Sequence, residues 1–229
     1  MSVIVPTLNE ADRIESTLLS LLGGADPIEV IVADGGSTDD TAPRVLATMP
    51  TATVLDAPRG RARQMNAGAA HASGEILLFL HADTRLPGGA LADIRTAMSD
   101  SATAGGCFRT TFDDTRSAWM KLWQARMWMR WHRFAFGDRG LFMRRSVFDA
   151  VGGFPDQPIF EDLDMVRAIR QHGRFHFLDT AVVTSARRYQ RHGALRQQLR
   201  NVALWLGWSV GISPTRLKRF YPDSRAERG

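Results

Sequence analysis

The chain has 229 residues, 44% of them hydrophobic and 23% charged, with a net charge of +5; this composition excludes a disordered or fibrous protein and allows one substantial core. A single cysteine, Cys107, excludes an internal disulfide framework and suits a reducing compartment. The longest uncharged stretch, 201–215, falls short of the roughly 20 residues that cross a bilayer, and strand-like Ser2–Val5 directly after Met1 leads us to expect no signal peptide.

Up to about residue 100, strand and helix alternate. Ser2–Pro6 reads as a first strand. Asn9 is placed to cap a helix, with Asp12 three positions on and Ile14, Leu18, Leu21 and Leu22 on one face. Ile28–Ala33 is a second buried strand ending at Asp34-Gly35-Gly36, and Ser37 to Asp40 fits a capping box that opens the next helix. Thr53–Leu55 gives a third strand, Gln64–His71 a helix and Glu75–Leu80 a fourth strand. Ile76 to Leu80 are apolar without alternation, which marks a central strand covered on both faces of a parallel sheet. Pro87-Gly88-Gly89 starts a helix through Met98. Alternation of this kind predicts an α/β fold with a doubly wound sheet.

Beyond residue 100 the character changes. Gly105–Phe112 reads as a strand, Trp119–Phe136 is rich in Trp, Met and Arg, and Gly137–Met143 is a short strand. Ser146–Val151 is a short helix and Gly152 to Pro155 a turn, followed by a helix approach and body from Ile159 to Gly173. Two short strands, 175–178 and 181–184, precede a basic segment from Arg187 to Arg200 and a final apolar helix. No linker separates the halves, so the expectation is one domain.

Charge is unevenly spread. Residues 1–115 carry 8 Lys+Arg and 15 Asp+Glu, a net of −7, whereas 116–229 carry 21 and 9, a net of +12. A basic half suits phosphate or an anionic membrane surface, although a solvated arginine-rich surface leaves the same imprint. Nucleic acid fits less well, because these arginines fall in no recognised motif.

In open parallel sheets, ligands bind beyond the carboxyl ends of the strands. Three of these ends carry polar marks: Pro6-Thr7-Leu8-Asn9-Glu10, Asp34-Gly35-Gly36-Ser37-Thr38 and His81-Ala82-Asp83. Sharing one edge, they converge on one crevice. Asp34 could accept hydrogen bonds from a uracil-like imide or a ribose hydroxyl, though turns use the same residues. If His81–Asp83 continue in extended form, alternation puts both side chains on one side, as a metal ligand pair requires; a polar strand end leading into a turn is the plainer alternative. Arg59, Arg61 and Arg63 around a helix N-terminus make an anion site suited to a nucleotide or diphosphate, the alternative being a solvated charged loop.

The segment from Phe160 to Ile169 discriminates further. At about 100° per residue, Val166 and Ile169 lie within roughly 40° of Asp162, while Glu161 and Asp164 point well away. An acid on the inward face of a helix start is costly unless it faces a polar cleft. Asp162 is therefore the candidate general base. Its acidic neighbours would raise its proton affinity and the helix N-terminus would lower it. Trp119, Trp123, Met127 and Trp131 recur every fourth residue with Lys121, Arg126, Arg130 and Arg133 interleaved. Such a stripe is either a helix packed on the sheet or an acceptor-site or membrane-interface helix. Leu195–Ile212 is a second segment of this type.

Taken in order, SVIVPTLNE, ADGGSTDDT, GRARQMNAG, LFLHADT, GLFMRRSVFDAVGGF and FEDLDM resemble glycosyltransferase family 2, the GT-A enzymes. The chain looks closest to small stand-alone bacterial members related to dolichyl-phosphate mannosyltransferase-like catalytic domains, over about residues 2 to 185. The resemblance implies a GT-A type doubly wound, mostly parallel central sheet flanked by helices, with a helical basic C-terminal extension. It implies a single domain, 1–229, with 1–100 as the nucleotide-binding half and 101–229 as the acceptor-side half. It further implies an inverting enzyme that moves one sugar from a nucleoside-diphosphate sugar to an acceptor hydroxyl, lipid-linked in one version of the reading.

Carried over by position, Pro6, Thr7 and Glu10 lie at the base and ribose side, and Asp34 with Arg61 or Arg63 contacts the base or its phosphates. Asp83 is the metal-side carboxylate and Asp162 the base. Glu161, Arg187, Arg188 and Arg191 fall on the diphosphate and acceptor side. One departure is that His81 stands where the family's D-x-D motif has its first acid. Imidazole binds Mn²⁺ but matches Mg²⁺ poorly, so the expected divalent cation is Mn²⁺. His192 is a candidate third ligand, or a plain surface histidine. The absent Q-x-x-R-W pattern argues for single-sugar transfer. The expected location is the cytoplasm, at the inner face of the membrane if the Trp- and Arg-rich segments touch lipid. Two alternatives remain: a sugar nucleotidyltransferase, which would want a glycine-rich loop where Pro6–Glu10 stand, and a catalytically degenerate nucleotide-binding or membrane-surface module.

Overall fold

The computed structural model describes residues 1–24, 27–113, 139–187 and 193–221. The Trp-rich stretch Trp119–Phe136 and the candidate residues Arg188, Arg191 and His192 lie outside the described residues. In chain order the elements are β1 (Ser2–Thr7), α1 (Ala11–Leu19), β2 (Glu29–Asp34), α2 (Thr41–Thr48), β3 (Thr53–Asp56), α3 (Arg61–His71), β4 (Ile76–Phe79) and β5 (Thr84–Arg85). They continue with α4 (Ala90–Ser99), β6 (Thr103–Phe112), β7 (Leu141–Arg144), α5 (Arg145–Val151), α6 (Glu161–His172), β8 (Arg174–Thr184), α7 (Ala194–Ser209) and α8 (Pro214–Lys218).

The strands form one sheet in the order β3-β2-β1-β4-β7-β6-β8-β5. β3, β2, β1 and β4 are parallel, β7 runs antiparallel to both β4 and β6, and β8 returns parallel to β6. Apolar alternation splits the core into two layers. Val3, Val5 and Leu78 face α1, α2 and α4 through Ile14, Leu18, Val45 and Ile94. Ile4, Leu77 and Phe79 face α3, α5 and α6 through Met65, Val147, Phe148 and Val166. The doubly wound α/β expectation holds for this reason: β1 and β4 have no polar face to offer water. On the second face α3 lies so close to β1 that a Cβ at Gly68 would stand 2.5 Å from Ile4 Cγ2.

β5 begins five residues after β4 ends, yet it pairs with β8 at the far edge. Five steps of chain reach roughly 17 Å, less than the roughly 19 Å that four strand spacings would need in a flat sheet. The sheet is accordingly curled, bringing the turn after β4 under β8. A third apolar cluster sits apart from both layers. There Leu204 of α7 and Leu217 of α8 cover Ile159, Phe160 and Leu163 at the start of α6.

Local expectations need correction in four places. Asn9 does not cap α1; it has φ 53° and its Oδ1 accepts from the Thr38 N–H at 2.8 Å. Ser37 opens no helix, because its N–H and hydroxyl donate to Asp34 and α2 begins only at Thr41. α3 starts at Arg61 rather than Gln64. The two strands expected at 175–178 and 181–184 are one strand, β8, with a bulge where Cys107 faces Phe177 but Arg109 faces Ala181. The polar pair that interrupts the apolar pattern is bulged out to find partners, Asp179 with Arg109 and Thr180 with Asp93.

Candidate active site

The carboxyl ends of β1 and β2 are tied together by polar side chains. Thr7 Oγ1 donates to Asp34 Oδ1 at 3.0 Å, and Asp34 Oδ2 accepts the Ser37 N–H at 2.8 Å. From the first turn of α3, Gln64 Nε2 donates to the Thr7 carbonyl at 2.5 Å and to the Ala33 carbonyl at 2.9 Å. A side chain at Gly35 would push Gln64 out of these bonds, since a Cβ would meet its Nε2 at 2.9 Å. Pro6 is paired opposite Ala33 and buried. Glu10 is buried as well, and Arg187 Nη2 approaches its Oε1 at 3.3 Å. Thr7, Glu10, Asp34 and Arg187, named separately along the sequence, are thus joined in hydrogen-bonded and ionic pairs at one sheet edge.

The same turn of α3 reaches a second group of candidates. Arg61 Nε donates to Glu161 Oε1, and its Nη2 lies 4.0 Å from Asp162 Oδ2. Burial alone would lower the Arg61 pKa, but the charges of Glu161 and Asp162 outweigh it and hold the guanidinium well above its ordinary value. Glu161 is fully buried, which corrects the expectation that it points away from the interior. A helical wheel sees only the face toward the sheet; the third apolar cluster packs the start of α6 from another side. Asp162 is buried as expected, and its Oδ1 accepts the Leu163 N–H at 2.8 Å. Asp164 turns outward to Gln157 and Arg167. Phe160, just before α6, has φ 67°, a conformation a bulky side chain rarely adopts.

Arg61, His81, Glu161 and Asp162 line one small crevice with Met65, Phe79, Leu141 and Phe154. His81 comes from the end of β4 and Asp162 from the start of α6, so residues 81 apart in sequence share a wall. The segment after β4 is not extended. A turn closed by the Thr84 N–H on the His81 carbonyl at 3.0 Å replaces the expected alternation. Ala82 is buried against the core while His81 and Asp83 are half-buried on either side of it. These two supply one nitrogen and one oxygen donor. Of the two, only His81 lines the crevice with Asp162; by its chemistry an imidazole nitrogen with a carboxylate oxygen is a donor set that Mn²⁺ accepts. Among the described residues no group of three or more His, Cys, Asp or Glu gathers as a preformed metal centre.

Arg63 goes elsewhere. It forms a two-pronged, exposed pair with Asp156, with Nε 2.9 Å from Oδ1 and Nη2 2.8 Å from Oδ2. Sequence reasoning passed over Gln64 and Asn66. Asn66 exchanges two 2.8 Å bonds with the Phe154 backbone and so seats the turn that leads to α6. The available signal was polar residues recurring inside a helix that packs on a sheet, each of which must find a partner.

The family model described as glycosyl transferase family 2 matches residues 2–155. Two Mycobacterium tuberculosis sequences, each called an uncharacterized glycosyltransferase, are 37% identical over 92 residues, covering 38% of this chain and 35% of theirs. The chain therefore spans about a third of the length of these curated relatives. Among solved structures, a mannosyltransferase from Pyrobaculum calidifontis in complex with GDP-Man and Mn²⁺ has a TM-score of 0.71 at 22% identity, over 96% of this chain and 67% of that one. The S. aureus TarS fragment in complex with UDP-GlcNAc has a TM-score of 0.65 at 20% identity, over 80% of this chain and 58% of that one. Matched by the family model over more than half of its length and sharing this curled, mostly parallel sheet with GT-A glycosyltransferases, the chain belongs to glycosyl transferase family 2.

Proposed function

We propose that the chain is an inverting glycosyltransferase that moves a single sugar from a nucleoside-diphosphate sugar to an acceptor hydroxyl. The observation that carries the reading is the buried Asp162 carboxylate, which lines a crevice with His81 and Arg61 beside the sheet edge occupied by Thr7 and Asp34. UDP-GlcNAc and GDP-Man in the two structural relatives support a sugar nucleotide as donor. In this reading residues 1–100 serve the donor nucleotide and 101–229 the acceptor. Asp34 and Thr7 accept from or donate to the base and ribose, and Arg61 and Arg187 face the diphosphate side. Arg188 and Arg191 would share that role.

The chemistry needs one base. The acceptor oxygen attacks the anomeric carbon as its proton passes to the Asp162 carboxylate. The bond from that carbon to the diphosphate oxygen breaks, and its electron pair leaves with the nucleoside diphosphate. A single displacement inverts the anomeric centre and requires no covalent sugar–enzyme intermediate. His81 and Asp83, with His192 as a candidate third ligand, would hold the divalent cation, with Mn²⁺ preferred to Mg²⁺; bound there, it neutralises charge on the departing diphosphate. A cytoplasmic location accords with the one buried, unbridged cysteine.

Asp162→Asn keeps the shape and removes the base. Transfer should fall by at least about a thousandfold, while donor binding by calorimetry stays within a few-fold. Retained turnover would remove Asp162 as the base. Thermal-shift screening of nucleoside-diphosphate sugars with and without Mn²⁺ would identify the donor, and the absence of any stabilising sugar nucleotide would count against the whole reading.

A further inference from the structure

Helix α7 is apolar on two opposite sides. Leu204 and Trp208 pack inward on Ile159, Phe160 and Leu163. On the opposite side Leu199, Val202, Leu206 and Val210 fall within about 80° of arc at 100° per residue. All four are exposed, Leu199 by 63%, Leu206 by 50% and Val210 by 76%. The row continues past the helix with exposed Ile212 and with Phe220, which is 71% exposed beyond α8. A helix with one apolar stripe has found its core; a second stripe, left in water, needs another cover.

Charge indicates what covers it. Residues 193–221 carry five Lys or Arg and no Asp or Glu. Arg196, Arg216 and Arg219 are exposed around this apolar row. A second copy of the chain would bring the same positive charge against itself. An anionic lipid surface instead meets the basic residues and takes the apolar side chains into its interfacial layer. No helix among the described residues is long and apolar enough to cross a membrane, so the contact is one that lies on the bilayer.

We propose that the outer faces of α7 and α8 dock the protein on an anionic membrane surface. The inner face of α7 bears on Phe160, two residues from Asp162, so the lipid lies one helix away from the proposed base. The inference does not rest on the transfer reaction, and its test requires no activity.

The experiment is flotation of the full chain with vesicles of phosphatidylcholine alone or mixed with phosphatidylglycerol, at low and high salt. The protein should float with the anionic vesicles at low salt, less at high salt, and little with phosphatidylcholine alone. Leu206→Ser with Val210→Ser should lower partitioning about tenfold or more. Arg196→Gln, Arg216→Gln and Arg219→Gln together should lower it on the order of a hundredfold. Both variants change exposed side chains and should keep the circular dichroism and melting temperature of the parent. Failure of the parent to float with anionic vesicles would overturn the proposal. So would flotation unchanged in both variants, which would put the lipid contact elsewhere. Sedimentation showing a dimer that Leu206→Ser with Val210→Ser dissociates would also overturn it, because a second copy would then own this face.

Discussion

Glu161 concentrates the electrostatic problem of the site in one side chain. It is fully buried, its Oε1 accepts from Arg61, and its Oε2 has no hydrogen-bond partner among the described residues. A buried carboxylate held by one cation is stable only while that cation stays charged and in place. Arg61 meets the first condition because its raised pKa means its contribution is complete below the ordinary arginine value and is lost only above it. Arg61 therefore stays charged throughout the working range, and removing the cation is the way to test the pair. Arg61→Met should lower unfolding free energy by about 2–3 kcal/mol, just under the buried-pair range because the guanidinium is a third exposed. Adding Glu161→Met should restore part of that loss, since of the two buried carboxylates that face the guanidinium only Asp162 then remains. Urea denaturation of the parent, both single variants and the double variant measures it; a single-variant loss below about 0.5 kcal/mol would mean the pair behaves like a surface ion pair.

At the scale of elements, Asp39 knots the starts of two helices. Its Oδ2 accepts the Ala11 N–H of α1 at 3.2 Å and its Oδ1 the Thr41 N–H of α2 at 3.0 Å. Burial would raise its pKa, yet bonds from Thr41 and Ala11 prevail and hold it below the usual carboxylate value. A depressed folded value stabilises fully above the unfolded pKa of about 3.9 and is lost as pH falls through the folded one. Between about pH 4 and 2 the urea midpoint should thus fall more steeply in the parent than in Asp39→Asn, followed by circular dichroism, and equal slopes would dismiss the knot. This contact also illustrates what the sequence reveals and what it hides. Val3 to Val5 and Leu77 to Leu80 disclose central strands because every residue is apolar, and that pattern is local. Asn9 and Ser37 have a helix-capping composition but spend it on each other's loops, 28 positions apart. No local pattern carries such a pairing. The same limit applies to Glu161: its helical angle was read against one packed face, and the second face comes from α7 and α8, far along the chain.

For the molecule as a whole, α7 and α8 return to brace Phe160, two residues before the proposed base. The Trp208 and Phe160 ring centroids lie 5.4 Å apart, and the Arg167 guanidinium sits 3.9 Å from the centroid of the indole. Phe160 at φ 67° carries strain of about 1–3 kcal/mol, which persists only where surrounding packing over-determines it. Three elements do so here: Trp208 of α7, Leu217 of α8 and the body of α6. Trp208→Ala should therefore have two separable effects. Loss of a half-buried indole and its stacked cation should lower stability by about 2 kcal/mol. Release of the backbone at Phe160 should let the first turn of α6 relax and shift Asp162, so that kcat for transfer falls at least about tenfold. Donor affinity should not follow, because Thr7, Asp34 and Gln64 are held by bonds that Trp208 does not touch. Donor titration, transfer kinetics and thermal unfolding on one preparation distinguish the outcomes. Unchanged kcat with lowered stability would reduce Trp208 to a packing residue, whereas lost donor binding would show that the two sides of the crevice are not held independently.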